Sequence, residues 1–169
     1  MSLGVTLSGS GLTVGVYGAE TDNDGGTARD TDAFEGVWYA NYSMGPVSIG
    51  YSQSYHDSGQ FVTSETAGAA KVVNTAGGLF ETEMYSIAFN VNDNMSVSYG
   101  KATDTYDNQS NNSSGTETAD VEMEIKSIQA AYTMGSMSIK AQRTETDNIK
   151  YDANGGSVTK TEVALGLAF

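Results

Sequence analysis

The carboxy-terminal stretch Glu162-Val163-Ala164-Leu165-Gly166-Leu167-Ala168-Phe169 alternates between larger apolar residues and mostly small ones. Successive side chains of a β-strand point to opposite faces, so a period of two predicts a strand with one apolar face. That face carries Val163, Leu165, Leu167 and Phe169. It needs an apolar neighbour, and the rest of the chain is too polar to supply a large core.

The same alternation recurs along the chain. It is found near residues 12–17, 37–44, 47–55, 85–91, 95–100, 128–134 and 137–142. Leu3, Val5 and Leu7, which precede Gly9-Ser10-Gly11, indicate one more strand at the start. The pattern therefore predicts an all-β fold, an antiparallel up-and-down meander of 8–9 strands.

The connections between these strands are of two kinds, which take turns along the chain. Short connections occur at Gly45-Pro46, Asn92-Asp93-Asn94 and Gly135-Ser136. Long connections rich in Gly, Asn, Ser, Thr and Asp lie near residues 20–33, 56–79, 105–120 and 148–157. A meander then puts all short turns at one end and all long loops at the other, which is typical of transmembrane β-barrels and not of soluble sandwiches. We expect residues 1–169 to form one barrel domain or barrel segment.

Composition agrees with this interpretation and excludes several classes of protein. The chain has 169 residues, 20 Gly, no Cys, a mean hydropathy of −0.32 and a net charge of −13. No apolar run approaches the roughly 18 residues of a membrane-spanning helix, but a barrel strand needs only about 9–11 residues, half of them apolar. Without cysteine there is no disulfide framework. Eight scattered Lys and Arg make nucleic acid an unexpected partner.

Each face of the predicted strands suggests a role. Aromatic residues on the apolar face predict an interfacial girdle, although Tyr is also common in soluble sheets; they are Trp38, Tyr42, Tyr51, Tyr85, Tyr99 and Tyr132. The other face is mostly Ser, Gly, Ala, Thr and Asn, which suit a wet lumen better than a dry core. By parity the candidate pore-lining residues are Asn90, Lys140, Gln142, Lys160 and Glu162. These side chains either set selectivity or merely wet a wall.

Catalytic and metal chemistry find little support. His56 is the single histidine, so neither a zinc site nor histidine-based catalysis is indicated. Asp22-Asn23-Asp24-Gly25-Gly26 resembles the start of a calcium loop, but Ala33 stands where the bidentate Glu belongs. We therefore expect no enzyme activity, no cofactor and no metal.

Three stretches carry a family resemblance. Met84–Phe89, Met95–Gly100 and Val163–Phe169, together with the sorted loops, resemble the carboxy-terminal half of the general (nonspecific) porins of Gram-negative bacteria. The resemblance implies a sixteen-stranded, usually trimeric outer-membrane barrel for passive diffusion of small hydrophilic solutes. Its partners would be outer-membrane lipid, copies of itself and those solutes. It also implies that the terminal strand, through Val163, Leu165, Leu167 and Phe169, acts as an assembly signal.

The strand count leaves alternatives open. Eight strands can close as a small barrel, whereas nine fit the last nine strands of a sixteen-stranded one. The rival functions are an eight-stranded surface barrel without a channel, whose acidic loops bind a partner, and a soluble β-sandwich or adhesin. For the channel, acids in and near the loops predict a weak preference for cations. Residues Met1–Val5 show no signal peptide.

One predicted strand changes parity. Val121, Met123 and Ile125 alternate in the opposite phase from Ile128 and the apolar residues after it. Either a β-bulge near residues 126–127 restores the phase, or the first three side chains point inward above the membrane. We favour the second interpretation, because Glu122 and Glu124 then face water. By the same parity Arg143 points outward, and we expect it to lie beyond the hydrocarbon band.

Overall fold

A computed structural model of the chain describes residues 1–22, 32–57, 79–107 and 120–168. The predicted loops near 20–33, 56–79 and 105–120 lie largely outside these ranges. The same is true of Phe169 and of the calcium-like stretch after Asp22. The predicted connection at 148–157 is described throughout.

The described residues form nine strands, which confirms the meander. They are β1 (Ser2–Gly9), β2 (Leu12–Thr21), β3 (Ala33–Met44), β4 (Val47–Asp57), β5 (Leu79–Asn92), β6 (Met95–Asp107), β7 (Val121–Met134), β8 (Met137–Asp147) and β9 (Ser157–Leu167). One short 3-10 helix, η1 (Ile149–Tyr151), lies between β8 and β9. Gly11, Gly45 and Gly135 adopt φ of 81°, 57° and 58° in the short turns, where tight hairpins need positive φ.

All nine strands belong to one antiparallel sheet in sequence order. β1 and β9 each have a single hydrogen-bonded neighbour and are the two edges of the sheet. Within the described ranges the sheet therefore does not close as a barrel of eight or nine strands. No second sheet covers it among those residues, so the sandwich architecture is not the one adopted.

The register keeps two faces separate across the whole sheet. Residues directly opposite each other in an antiparallel pair share a face. Val97 lies opposite Ala130, Ala130 opposite Ala141 and Ala141 opposite Val163. We call the face that carries Val97 and Val163 the apolar face, and the opposite face, which carries Lys140, the polar face.

β7 resolves the change of parity seen in the sequence. Its pairing with β6 runs without a shift from Val121 to Tyr132, so there is no bulge at residues 126–127. Val121, Met123 and Ile125 consequently lie on the polar face, as we favoured. The register shift that does occur is between Asn90 and Asn92, beside a short turn.

Apolar side chains are exposed over most of the sheet. On the edge strands Leu3 is 69% and Val163 is 72% accessible, and in the centre Ile87 is still 47% accessible. Among the described apolar side chains only Tyr106 is buried, at 1% accessibility. The described residues give the apolar face of this sheet no core to pack against, so the face needs an apolar environment from elsewhere.

Candidate functional site

The polar face near the short turns is built from small polar residues. All five candidate pore-lining side chains fall on this face: Asn90, Lys140, Gln142, Lys160 and Glu162. A groove of about 480 Å³ runs between β6 and β9, lined by Ser96, Ser98, Gln129, Lys140, Gln142 and Glu162, among others. The small residues of this lining, such as Ser96, Ser98 and Ala131, leave space above the backbone between the longer side chains.

One local ion pair lies on this part of the polar face. Lys160 Nζ lies 2.9 Å from Glu162 Oε1, with both side chains more than half exposed. Gln142 Nε2 donates to Thr144 Oγ1 at 3.0 Å, and Thr144 Oγ1 donates to Ser127 Oγ at 3.3 Å. The surface is therefore a hydrated, hydrogen-bonded wall, with Lys140 as its other positive charge.

The polar face near the long loops has a different character. Phe80, Tyr106 and Tyr151 form an aromatic cluster there. The Phe80 ring centroid lies 4.8 Å from that of Tyr106 and 5.5 Å from that of Tyr151, and the Tyr106 and Tyr151 centroids are 5.5 Å apart. Ring pairs at these separations add about 0.5–1.5 kcal/mol each beyond the area they bury. Tyr106, in this cluster, is the only buried apolar side chain among the described residues.

Residues 148–156 supply one of the three rings by folding over the polar face. Asn148, Lys150 and Tyr151 have φ of 53°, 61° and 56°, a left-handed conformation that L-residues rarely adopt. Tertiary contacts hold the segment. Asn148 Nδ2 donates to the Glu122 carbonyl at 2.9 Å, and the Tyr151 hydroxyl donates to Asp104 Oδ2.

Asp104 connects this segment to the sheet. Its second oxygen accepts a hydrogen bond from Thr82 Oγ1 at 2.8 Å, so the carboxylate bridges β5, β6 and η1. Burial raises the pKa of Tyr151 well above its ordinary value, and the hydrogen bond to the Asp104 carboxylate raises it further. Tyr151 therefore stays a neutral donor at every physiological pH.

The apolar face carries the six aromatic residues proposed as a girdle. The register places all of them there, half of them close to the short turns: Trp38, Tyr42, Tyr51, Tyr85, Tyr99 and Tyr132. Trp38 Nε1 donates to Gln53 Oε1 at 3.0 Å, and the Tyr51 hydroxyl donates to Glu83 Oε1 at 2.6 Å. The Tyr51 hydroxyl thus points toward the long-loop end, whereas Trp38 bonds to the residue directly opposite it on β4.

At the long-loop end the same face becomes charged. Lys101 and Lys126 both form ion pairs with Glu124, and Lys126 Nζ also lies 3.9 Å from Asp147 Oδ2. Arg143 points outward as predicted, opposite Ile128 and Thr161. The apolar band therefore ends in a belt of ion pairs, which suits contact with water or lipid headgroups.

The structure also shows the surroundings of His56 and of the acidic residues near the calcium-like stretch. His56 lies at the end of β4 on the polar face, with Nδ1 3.3 Å from Glu35 Oε1 and half of its side chain exposed. Near the calcium-like stretch, one carboxylate oxygen from each of Glu20, Asp22 and Asp32 lies within 4.8 Å of the others, and all three residues are exposed. Exposed acidic groups commonly approach this closely without an ion.

Sequence reasoning missed the aromatic cluster and the Asp104 bridge. Tyr106 and Tyr151 are 45 positions apart and belong to stretches without a shared motif. The available signal was the apolar phase of Val121, Met123 and Ile125 on the polar face, which showed that this face is not polar along its whole length.

Comparison with known proteins shows the fold. A solved structure of a porin refined at 1.8 Å resolution matches 98% of this chain with a TM-score of 0.66 and 14% sequence identity. The chain covers 50% of that porin. No protein-family model matches the sequence. No curated protein matches it either.

The chain therefore has a porin-like fold that corresponds to about half of that structure. Within the described ranges, no helix has the length and apolar content to span a membrane.

Proposed function

We propose that this porin-like sheet forms part of the wall of an outer-membrane β-barrel through which small hydrophilic solutes diffuse passively. The observation that carries the proposal is the separation of the two faces. One face exposes apolar and aromatic side chains from β1 to β9, while the other exposes small polar ones with Lys140, Gln142 and Glu162 among them. Lipid outside the barrel accounts for the apolar face, and water inside the barrel accounts for the polar face.

The two open edges indicate how the barrel is completed. Since neighbouring strands are antiparallel, β1 and β9 run in the same direction. A fully antiparallel barrel with both edges paired then requires an odd number of added strands, and seven would complete the sixteen implied by the porin resemblance. A second copy of these nine strands in the same orientation would pair β9 with β1 in parallel, so we propose that the added strands have a different origin.

The charge distribution supports only a weak cation preference. On the strands the polar face carries the acids Glu35, Asp104 and Glu162 against Lys140 and Lys160. Much of the acidic excess instead lies on the apolar face near the long loops, outside the proposed lumen. Screening over about 8 Å at physiological salt weakens its effect on permeating ions.

Trimer formation and location in the outer membrane remain parts of this proposal.

The first test is the behaviour of the purified chain with and without detergent, measured by light scattering. We expect it to require detergent, because no described part of the chain covers the exposed apolar face. A monodisperse monomer in plain buffer would contradict the membrane barrel. If the protein depends on detergent, it is next reconstituted into planar bilayers. There we expect ion conductance when the strands that complete the barrel are also present.

A matched pair of variants tests which face lines the channel. Lys140 lies on the polar face, whereas Arg143, three residues later, lies on the apolar face. We expect Lys140→Gln to shift the reversal potential in a salt gradient toward greater cation selectivity, because a positive charge leaves the lumen. Arg143→Gln removes the same charge from the opposite face and should leave the potential unchanged. Equal shifts would contradict the assignment of faces.

A further inference from the structure

A groove of about 520 Å³ crosses the apolar face near the long loops. Two rows of the register form its walls. One row passes through Trp38, Gln53 and Glu83, and the other passes through Gly36, Tyr55 and Glu81. The backbone between the rows is the floor. The groove lies where the apolar band meets the charged belt, and it is separate from the proposed channel.

Aromatic rings form one part of this groove. Trp38 is fixed by its hydrogen bond to Gln53, and its ring centroid lies 5.2 Å from that of Tyr51 at an interplanar angle of 51°. Tyr55 follows on the neighbouring row, with its ring 5.7 Å from Phe34. Gly36 has no side chain, and the Phe34 ring packs over it, with Cε1 3.2 Å from the position that a Cβ would take.

Carboxylates form the facing part, and among the described residues no basic side chain lines the groove. The Tyr51 hydroxyl holds Glu83 in place at 2.6 Å, and Glu81 lies two residues away on the same face. The nearest lysines along the register, Lys101 and Lys126, are both paired with Glu124. Within the described ranges, Glu81 and Glu83 have no ion pair within 4.0 Å, so their charges are available to a ligand.

Rings and carboxylates without a base are complementary to an organic cation. An ammonium group gains from the negative faces of Trp and Tyr rings as well as from the carboxylates. Directly toward the short turns, the same face continues with Val14, Ala40 and Tyr51. A ligand with an ammonium headgroup and an alkyl chain matches both surfaces at once.

We propose that this groove binds the ammonium headgroup of an amphiphile whose chain lies along the apolar face. The headgroup site depends only on the residues of the groove. The position of the alkyl chain rests on the proposed function, because it requires that the apolar face contacts lipid.

The test uses Trp38, the single tryptophan of the chain, as a fluorescent reporter inside the site. The protein is kept in a neutral maltoside detergent and titrated with choline. In parallel it is titrated with dimethylbutanol, the neutral alcohol of the same shape in which carbon replaces nitrogen. We expect saturable quenching by choline and none by the alcohol. Equal responses to both would overturn the ammonium site.

Matched variants locate the charge that matters. Glu81→Gln with Glu83→Gln should weaken choline binding about fivefold, because each of two exposed carboxylates adds only modestly to the attraction of a cation. Glu20→Gln with Glu145→Gln removes the same charge from the same face outside the groove, and should change binding less than twofold. Equal weakening in both double variants would mean that choline senses only net charge, which would overturn the site.

A last arm separates an amphiphile from a free cation. Dodecyltrimethylammonium carries the choline-like headgroup on a long chain, and its partitioning into micelles is the same for every variant. We expect dodecyltrimethylammonium to quench Trp38 fluorescence at a far lower total concentration than choline does. In the Glu81→Gln, Glu83→Gln variant this difference in concentration should disappear. If the two double variants respond alike, the amphiphile is excluded. Conductance is measured independently, so a failed channel would not be mistaken for a failed site.

Discussion

The two ends of this sheet reverse the roles of its two faces. Near the short turns the apolar face carries residues such as Val97 and Leu165, while the polar face carries Ser98 and Gly166. Near the long loops the apolar face carries ion pairs around Glu124, and the polar face carries a packed aromatic cluster around Tyr106. Both ends use the same strands and the same parity.

This reversal teaches that the environment, rather than the strand face, decides the residue type. In the proposed barrel a side chain on the outer face would meet lipid within the bilayer, where a charge is costly. Beyond the bilayer the outer face would meet water, so charges would be tolerated there. There the inner face is covered by residues 148–156 and can pack a small dry cluster.

The largest effect is expected from Tyr106→Ala. The side chain is 1% exposed and contacts two aromatic rings, so its removal leaves a cavity and should lower the free energy of unfolding by about 3 kcal/mol or more. Ser98→Ala, on the same strand and face at the other end, should change it by less than about 0.5 kcal/mol. Urea titrations monitored by Trp38 fluorescence measure both. Equal losses would mean that the cluster is not a special packing site.

A smaller effect is expected from lysine on the apolar face of β6. Val97→Lys places a charge near the short turns and should cost about 2–4 kcal/mol in lipid vesicles. Thr103→Lys, six residues later on the same face, lies between Glu83 and Glu124 and should cost about 0–1 kcal/mol. Unfolding in vesicles by denaturant measures the difference. If both variants are equally stable, this face does not contact hydrocarbon.

The smallest effect is expected from Tyr151→Phe, which keeps the ring and removes the hydrogen bond to Asp104. The loss should be about 1.5 kcal/mol at neutral pH, because the acceptor is a carboxylate. The folded-state pKa of Tyr151 is raised, so this contribution is fully present below the unfolded value of about 10 and declines as the pH rises above it.

Alkaline pH tests this sign directly. The stability difference between wild type and Tyr151→Phe should be constant from pH 6 to pH 9 and shrink above about pH 10, where the unfolded tyrosine ionises. Subtracting the variant removes the titration of every other tyrosine and lysine. A difference that grows with pH would show that the tyrosinate, not the phenol, is the stabilised form.

A feature of the fold could be predicted from the sequence when it depends on residues close together along the chain. Alternation is local, so the strands, both faces and the short turns could be predicted from residues such as Val163, Leu165 and Gly135. The inward phase of Val121, Met123 and Ile125 was predicted for the same reason. The candidate pore-lining and girdle residues could be assigned to faces, while their roles stay predictions.

Only the tertiary structure decided which residues meet across strands. The register places Trp38 beside Gln53 and Gln53 beside Glu83, although Trp38 and Glu83 are 45 positions apart, and so creates the groove. The fold of residues 148–156 brings Tyr151 to Asp104, and the absence of pairing between β1 and β9 among the described residues leaves two open edges. A period of two fixes the direction of a side chain but carries no information about its cross-strand neighbour.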